Sequence, residues 1–229
     1  LRVHIAALRR ALGDGEQGQR YIVNVPQRGY RFVAAVTHAA ASSEISLERA
    51  QRIQHNLPTR LTTVTGRDPM VGSLVRRLPV CRLMTLVGPG GVGKTTVALR
   101  VAELLLQHYR DGVWLVDLAA IDDPAQVEDH LSRVLQLEVG TSLEVLSNWH
   151  ALLVLDNCEH LHERCRTLVE TLLQSAPRLS VLVTSREPLR VPGETVHSLP
   201  PLTVPPRSAL FRVDEAMGYS AVQLFVSRA

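Results

Sequence analysis

A chain of 229 residues with 45% apolar content can bury a substantial core, as one large domain or two smaller ones. A net charge of only +3 excludes a general polycation, so any nucleic-acid surface must be local. Three cysteines suit a reducing cytoplasm better than a disulfide framework. No apolar run approaches the roughly 18 residues of a membrane span and no signal peptide is visible, so a cytoplasmic protein without a membrane partner is expected.

Residues 1–12 place Leu1, Ile5, Leu8 and Leu12 on one helical stripe, with Arg2, Arg9 and Arg10 away from it. Leu1 is not a methionine and already lies inside that pattern, so the sequence reads as a piece of a longer chain. Gly13-Asp14-Gly15 closes the helix. Residues 21–25 alternate as a strand, 26–29 form a turn, and 30–36 return as a second strand. A basic helix followed by a hairpin is the tail of a winged helix-turn-helix module. Six arginines against Asp14 and Glu16 give residues 1–36 a local charge of +4, larger than that of the whole chain. Residues 37–55 read as a linker, with a short helix available over 44–54. Residues 69–78 form a helix with Pro69 in its first turn and Met70, Leu74 and Leu78 as its inner stripe.

The apolar run from Leu83 to Val87 reads as a buried strand, and it breaks into Gly88-Pro89-Gly90-Gly91-Val92-Gly93-Lys94-Thr95. That segment fits the phosphate-loop pattern G-x-x-x-x-G-K-[ST] at every fixed position, and a helix over 93–109 follows it, carrying Thr96 in its first turn. The glycines let successive N–H groups curl toward a triphosphate, and the helix N-terminus adds to the anion site. Lys94 would reach the outer phosphates and Thr95 would offer its hydroxyl to Mg2+. The bland alternative is a Gly-rich turn without a nucleotide, but strand, loop and helix stand in the required order.

Beyond the loop, strands and helices alternate, which predicts an α/β fold with a parallel sheet covered on both faces. Residues 112–118 are the next strand, 122–137 a helix capped by Asp122 and Asp123, and 142–148 a shorter helix. Residues 151–156 are an apolar strand ending in Asp156, which would hold Mg2+ at the carboxyl end of the sheet. Asn157 occupies the place where motor ATPases carry a carboxylate base. An amide cannot take a proton from water, so hydrolysis is expected to be slow at best. Glu159 could substitute or be only a solvated loop carboxylate. Cys158, His160, His162 and Cys165 are all possible zinc ligands, but their spacing argues against a site. A helix over 162–175 leads to a strand over 179–184. That strand brings Thr184 and Arg186 to the same edge, where they would sense the outer phosphate by hydrogen bond and by charge. Arg186 could equally pair with Glu187 or Glu194. Residues 194–199 form the last strand and 214–229 a final helix.

Two resemblances add to this reading. Val3-His4-Ile5, Leu8 to Leu12, Tyr21-Ile22 and Arg28 to Phe32 resemble the C-terminal half of the OmpR-type winged-helix DNA-binding domain. The resemblance implies Arg2 and His4 at bases or nearby phosphates and Arg9 and Arg10 on phosphates of double-stranded DNA. Pro26 stands where many members carry Arg, which leaves Arg28 as the wing-tip contact. The first two helices of such a module lie outside the sequence, so on its own this piece is expected to bind DNA poorly or not at all.

Asn56-Leu57-Pro58, Gly66-Arg67-Asp68, Gly88 to Thr96, residues 153–161, residues 184–189 and residues 199–202 come in the order of the signal-transduction ATPases with numerous domains. This STAND class includes NB-ARC proteins and the AfsR-like and LuxR-like regulators, and the likeness covers residues 56–229. It implies an ATP/ADP switch, self-oligomerisation, and an inducer acting through a sensor domain beyond Ala229. Asp68 stands where the family usually has Glu.

The expected organisation is residues 1–36 as part of a winged-helix domain, 37–55 as linker, 56–208 as a P-loop NTPase domain, and 209–229 as the start of a helical domain. The expected function is a nucleotide-switched, DNA-binding transcription regulator. A true ATP-consuming enzyme is the first alternative, but it would need a second carboxylate near Asp156 and a substrate pocket or lid, and neither is evident. A scaffold with a permanently bound structural nucleotide is the second.

Overall fold

The computed structural model describes residues 22–25, 29–32, 54–59, 64–138, 141–206 and 212–228. The chain divides into two compact units, Leu1–Gln51 and Arg52–Ala229. In the first, β1 (Ile22–Val25) pairs antiparallel with β2 (Gly29–Phe32), with Val25 opposite Gly29. The second strand starts one residue earlier than the expected 30–36, and residues 33–36 of that expectation lie outside the described residues. The expected helix over 1–12, with Arg2, His4, Arg9 and Arg10, lies outside the described residues, as does Arg28.

The second unit is a five-stranded, wholly parallel sheet flanked by helices, the P-loop NTPase fold. Its strands are β3 (Leu83–Val87), β4 (Val113–Asp117), β5 (Leu152–Asp156), β6 (Ser180–Ser185) and β7 (Thr195–Ser198), in the order β4-β5-β6-β3-β7. Every side chain of β5 and β6 is buried, as expected of strands covered on both faces. Alternation splits them between two cores. Met84, Leu86, Val154 and Leu182 pack with α1 (Asp68–Cys81) and α2 (Lys94–Leu104). Leu153, Leu155, Val181 and Val183 pack with α3 (Val127–Val134) and α4 (His162–Ser175) on the other face.

Several helices are shorter than their apolar pattern. Helix α2 ends at Leu104 rather than 109, and a turn follows that buries Tyr109 before the chain enters β4. The segment expected as a helix over 122–137 begins as a 3-10 turn, Pro124–Gln126, with the Asp123 side chain accepting from Ala125 N, and becomes α-helical only at Val127. Leu143–Asn148 is a 3-10 helix, capped by Ser142. The final helix is broken into α5 (Val213–Ala216) and α6 (Ser220–Arg228), with Gly218 in the turn between them.

The free edge of β4 is closed by the opening segment of the same unit. Val113 N donates to Gln54 O at 3.0 Å. The Asn56 amide then imitates a strand, donating to Leu115 O at 2.7 Å and accepting from Leu115 N at 2.6 Å. Among the described residues no helix is long and apolar enough to cross a membrane.

Candidate nucleotide site

All five strands point their carboxyl ends the same way, so the loops after β3, β4, β5 and β6 meet at one edge. The loop after β3 runs from Gly88 to Gly93. Gly91 and Gly93 adopt positive φ of 74° and 96°, and no atom lies within 4 Å of where either would carry a Cβ. Backbone conformation rather than crowding therefore selects glycine there. Gly93 is the N-cap of α2, whose opening N–H groups have no acceptor within the helix and face the loop's hollow.

Lys94 opens α2 and is only 8% exposed. Its Nζ donates to Gly88 O at 3.0 Å and Pro89 O at 3.3 Å, so its charge is held by carbonyl groups of the loop itself. No carboxylate pairs with it among the described residues. A buried ammonium without a counter-charge favours an anion in the same hollow.

One residue on, Thr95 Oγ1 lies 2.9 Å from both carboxylate oxygens of Asp156. A hydroxyl and a carboxylate at this distance are a hard-oxygen pair suited to Mg2+, so the donor set fits the ion the sequence implies. Asp156 is 3% exposed. Its Oδ1 accepts from Thr184 Oγ1 at 2.5 Å and its Oδ2 from Asn157 Nδ2 at 3.1 Å. Burial raises its pKa above the usual carboxylate value, and the charges of Asp117 and Glu159 push the same way against the hydrogen bonds from Thr184 and Thr95.

Thr184 corrects an expectation. Its hydroxyl is buried, donates to Asp156 and accepts from Asn157 N at 3.0 Å, so it fixes the carboxylate rather than facing a phosphate. Asp117 is the residue the sequence reading missed. The strand register sets it directly beside Asp156. Its Oδ1 accepts from Ala119 N at 3.0 Å and Asn157 Nδ2 at 3.1 Å, so Asn157 bridges the two acids. Asp117 also ends an apolar strand, and that shared pattern was the available signal. It adds a carboxylate near Asp156 to Glu159, which the sequence had already offered.

Arg186 is 69% exposed, and its Nε lies 3.4 Å from Glu159 Oε1 rather than from Glu187 or Glu194. Its Nη2 lies 3.9 Å from the position a Cβ on Gly90 would take, which places the guanidinium over the tip of the loop. Glu194 is occupied elsewhere, accepting from Leu189 N and Arg190 N.

Beside the loop lies a cavity of about 590 Å³, lined by Val64, Arg67, Val92, Thr96, Leu202 and Leu224 among others. Arg67, 7% exposed, donates from Nη2 to Val92 O at 2.9 Å and Pro200 O at 3.0 Å. It thereby ties the phosphate loop to the Leu199–Leu202 segment. Thr203 and Ser220 exchange hydrogen bonds at 2.9–3.0 Å, which pin the start of α6 over the same cavity.

The four possible zinc ligands have other employment. Cys158 and Cys165 are wholly buried in the core beneath β5, and the hydrogen bond between them with burial pushes the Cys158 thiol up. His160 Nε2 donates to Ile121 O at 3.0 Å and His162 Nε2 to Pro188 O at 2.8 Å.

No family model matches the chain. An uncharacterized protein of Mycobacterium tuberculosis H37Rv is 33% identical over 192 residues, covering 81% of this chain and 46% of that protein. A protein of the same organism, provisionally named an HTH-type transcriptional regulator, is 39% identical over 155 residues, 65% of this chain and 16% of that one. The regulatory protein AfsR of Streptomyces griseus is 32% identical over 150 residues, 57% of this chain and 15% of its own length. Among solved structures, Cdc6p from Pyrobaculum aerophilum superposes with a TM-score of 0.45 at 18% identity, over 64% of this chain and 48% of that one. The chain thus spans about half the length of one of these curated relatives and about a sixth of the other two.

Proposed function

We propose that this chain binds ATP or ADP with Mg2+ at the edge formed by Gly88–Thr96 and Asp156, and that the bound nucleotide controls a winged-helix DNA-binding module in a transcription regulator. The observation that carries the nucleotide half is the convergence of Lys94, Thr95 and Asp156. A buried ammonium with no carboxylate partner among the described residues stands beside a hydroxyl–carboxylate pair at 2.9 Å. The regulator half draws support from the relatives named for regulation and from the basic residues 1–36.

In this reading the loop N–H groups and Lys94 bind the phosphates, and Thr95 with Asp156 holds Mg2+, which neutralises phosphate charge when bound. Arg67 and the Leu199–Leu202 segment wall the cavity that receives the nucleoside. Arg186, tethered by Glu159, reports on the outermost phosphate in this reading. Hydrolysis, where it occurs, would depend on Asp117 or Glu159 to draw a proton from water, because Asn157 can only orient one. STAND-type behaviour then follows as a proposal: exchange of ADP for ATP with an inducer, followed by self-association, with DNA contacts through Arg2, His4, Arg9, Arg10 and Arg28.

Isothermal titration of ATP and ADP into the chain and into Lys94→Ala tests the site. Saturable binding that the variant loses by about a hundredfold is expected from removal of a charged partner in a buried setting. Equal affinity in both proteins would overturn the assignment. A small-molecule kinase or motor would instead show multiple turnovers that Asp117→Asn and Glu159→Gln both abolish.

A further inference from the structure

The amino ends of the strands, opposite the phosphate loop, carry a second and separate concentration of positive charge. A pocket of about 190 Å³ there is lined by Arg82, His108, Tyr109, His150, Arg178 and Ser180. These residues come from the segments entering β3, β4, β5 and β6, so the topology gathers them at one edge. Five-residue strands at ~3.3 Å per residue put that edge roughly 15 Å from the nucleotide site.

Charge in the pocket is not balanced locally. Arg82 donates from Nε to Leu179 O at 3.1 Å and from Nη2 to Leu173 O at 3.1 Å and Ala176 O at 2.7 Å, all of them neutral acceptors. Among the described residues neither Arg82 nor Arg178 has a carboxylate within ion-pair distance. The nearby acid, Asp111, is paired with Arg110 at 2.9 Å and also accepts from His150 N at 2.7 Å. His108, Tyr109 and His150 form a ring cluster, with centroids 4.9–5.4 Å apart.

Tyr109 supplies the independent observation. It is 2% exposed, and its hydroxyl is buried without a hydrogen bond of acceptable geometry, although the Ser180 hydroxyl stands beside it. Leaving a buried hydroxyl unsatisfied is costly, and Tyr109 is one of the residues lining the pocket that Arg82 and Arg178 also line. Burial pushes its pKa up to about 12, so it is held as a neutral donor.

We propose that this pocket is an anion site for a phosphoryl group on a small molecule, distinct from the nucleotide site. Its lining residues carry donors of several kinds: the Tyr109 and Ser180 hydroxyls, the Arg178 guanidinium and the two imidazoles. That arrangement suits a tetrahedral oxyanion better than a planar carboxylate with two oxygens. His150 faces Arg178, His108 and Arg110, which disfavour its protonation beyond the effect of burial, and Asp111, which favours it. A dianion in the pocket reverses that balance, so binding takes up a proton and tightens as pH falls.

The test uses sulfate, a tetrahedral dianion whose own charge is constant over this range, with the Lys94→Ala chain so that the phosphate loop does not compete. The ring resonances of His108 and His150, assigned with His108→Gln and His150→Gln, report the pocket directly. Both are expected to shift saturably, with affinity about tenfold higher near pH 5.5 than near pH 7.5. Inorganic phosphate at a single pH should shift the same resonances. Arg178→Gln, an exposed change that leaves the core intact, should weaken binding by roughly tenfold or more, and Tyr109→Phe should weaken it with the fold retained in a thermal melt. Shifts that never saturate, or that persist in Arg178→Gln, would mean an adventitious ion only and overturn the proposal. Tighter retention of duplex DNA without any small-anion saturation would overturn it in favour of a nucleic-acid backbone. None of these outcomes depends on whether the phosphate loop binds nucleotide.

Discussion

Asp156 shows how a single residue carries both function and cost. It is buried between Thr95, Thr184 and Asn157 and lies near the charges of Asp117 and Glu159, so its pKa is raised. A raised carboxyl pKa means that the fold disfavours the ionised form. That cost is absent below the unfolded value of 3.8, grows as pH rises through the raised value, and is complete above it. Asp156→Asn is therefore expected to raise the neutral-pH Tm of the nucleotide-free chain by a few degrees and to flatten its pH dependence above pH 3.8. The same variant should lose Mg2+-dependent nucleotide affinity. A lower Tm across the whole range, measured by calorimetry, would contradict this balance. Asp117→Asn should keep nucleotide affinity within a few-fold while reducing any single-turnover hydrolysis, because its Oδ1 partners survive the change. Lys94, Thr95 and Asp156 were legible because a strand, a glycine loop and a helix announce themselves locally. Asp117 was not, since its importance arises from a register between strands 39 positions apart, which no local pattern encodes.

At the scale of elements, short polar segments do what the apolar pattern does not reveal. The Asn56 amide substitutes for a strand along the edge of β4, with two bonds of 2.6–2.7 Å to Leu115. Removing it in Asn56→Ala leaves the Leu115 main-chain pair to water at an exposed edge and is expected to cost about 0.5–1.5 kcal/mol of stability, read by denaturant unfolding. An unchanged midpoint would show the edge to be indifferent to it. Gly66 adopts φ +69°, and a Cβ there would fall 2.3 Å from Ser220 Cβ at the start of α6. Gly66→Ala should therefore displace α6 from the cavity and speed nucleotide release, with the sheet's melting transition preserved. The sequence announced the β-strands well, because runs such as Leu152–Leu155 are buried on both faces. Helix ends were less legible. Leu105 to Tyr109 continue the apolar pattern of α2, yet tertiary burial of Tyr109 requires a turn there. Pro124 and Asp123 favour a 3-10 start to the segment that only later becomes α3.

For the whole molecule, the sheet separates two edges with different chemistry. The carboxyl edge gathers Lys94, Thr95, Asp117, Asp156 and Arg186, while the amino edge gathers Arg82, His108, Tyr109, His150 and Arg178. The phosphate-loop pattern accounts for the first edge and leaves the second without a role, which is why the second emerges only from the assembled structure. Coupling between residues 1–36 and the nucleotide site is the central claim, and it is a claim about free energy: ATP and ADP must differ in how they bias the DNA-binding form. The most direct measurement is the affinity of the full-length protein for its operator DNA at fixed salt, saturated in turn with ADP and with a non-hydrolysable ATP analogue. The account predicts affinities differing by about fivefold or more, with the difference abolished by Lys94→Ala. Tight nucleotide binding with identical DNA affinity in both states would contradict it, and would leave the nucleotide as a structural ligand.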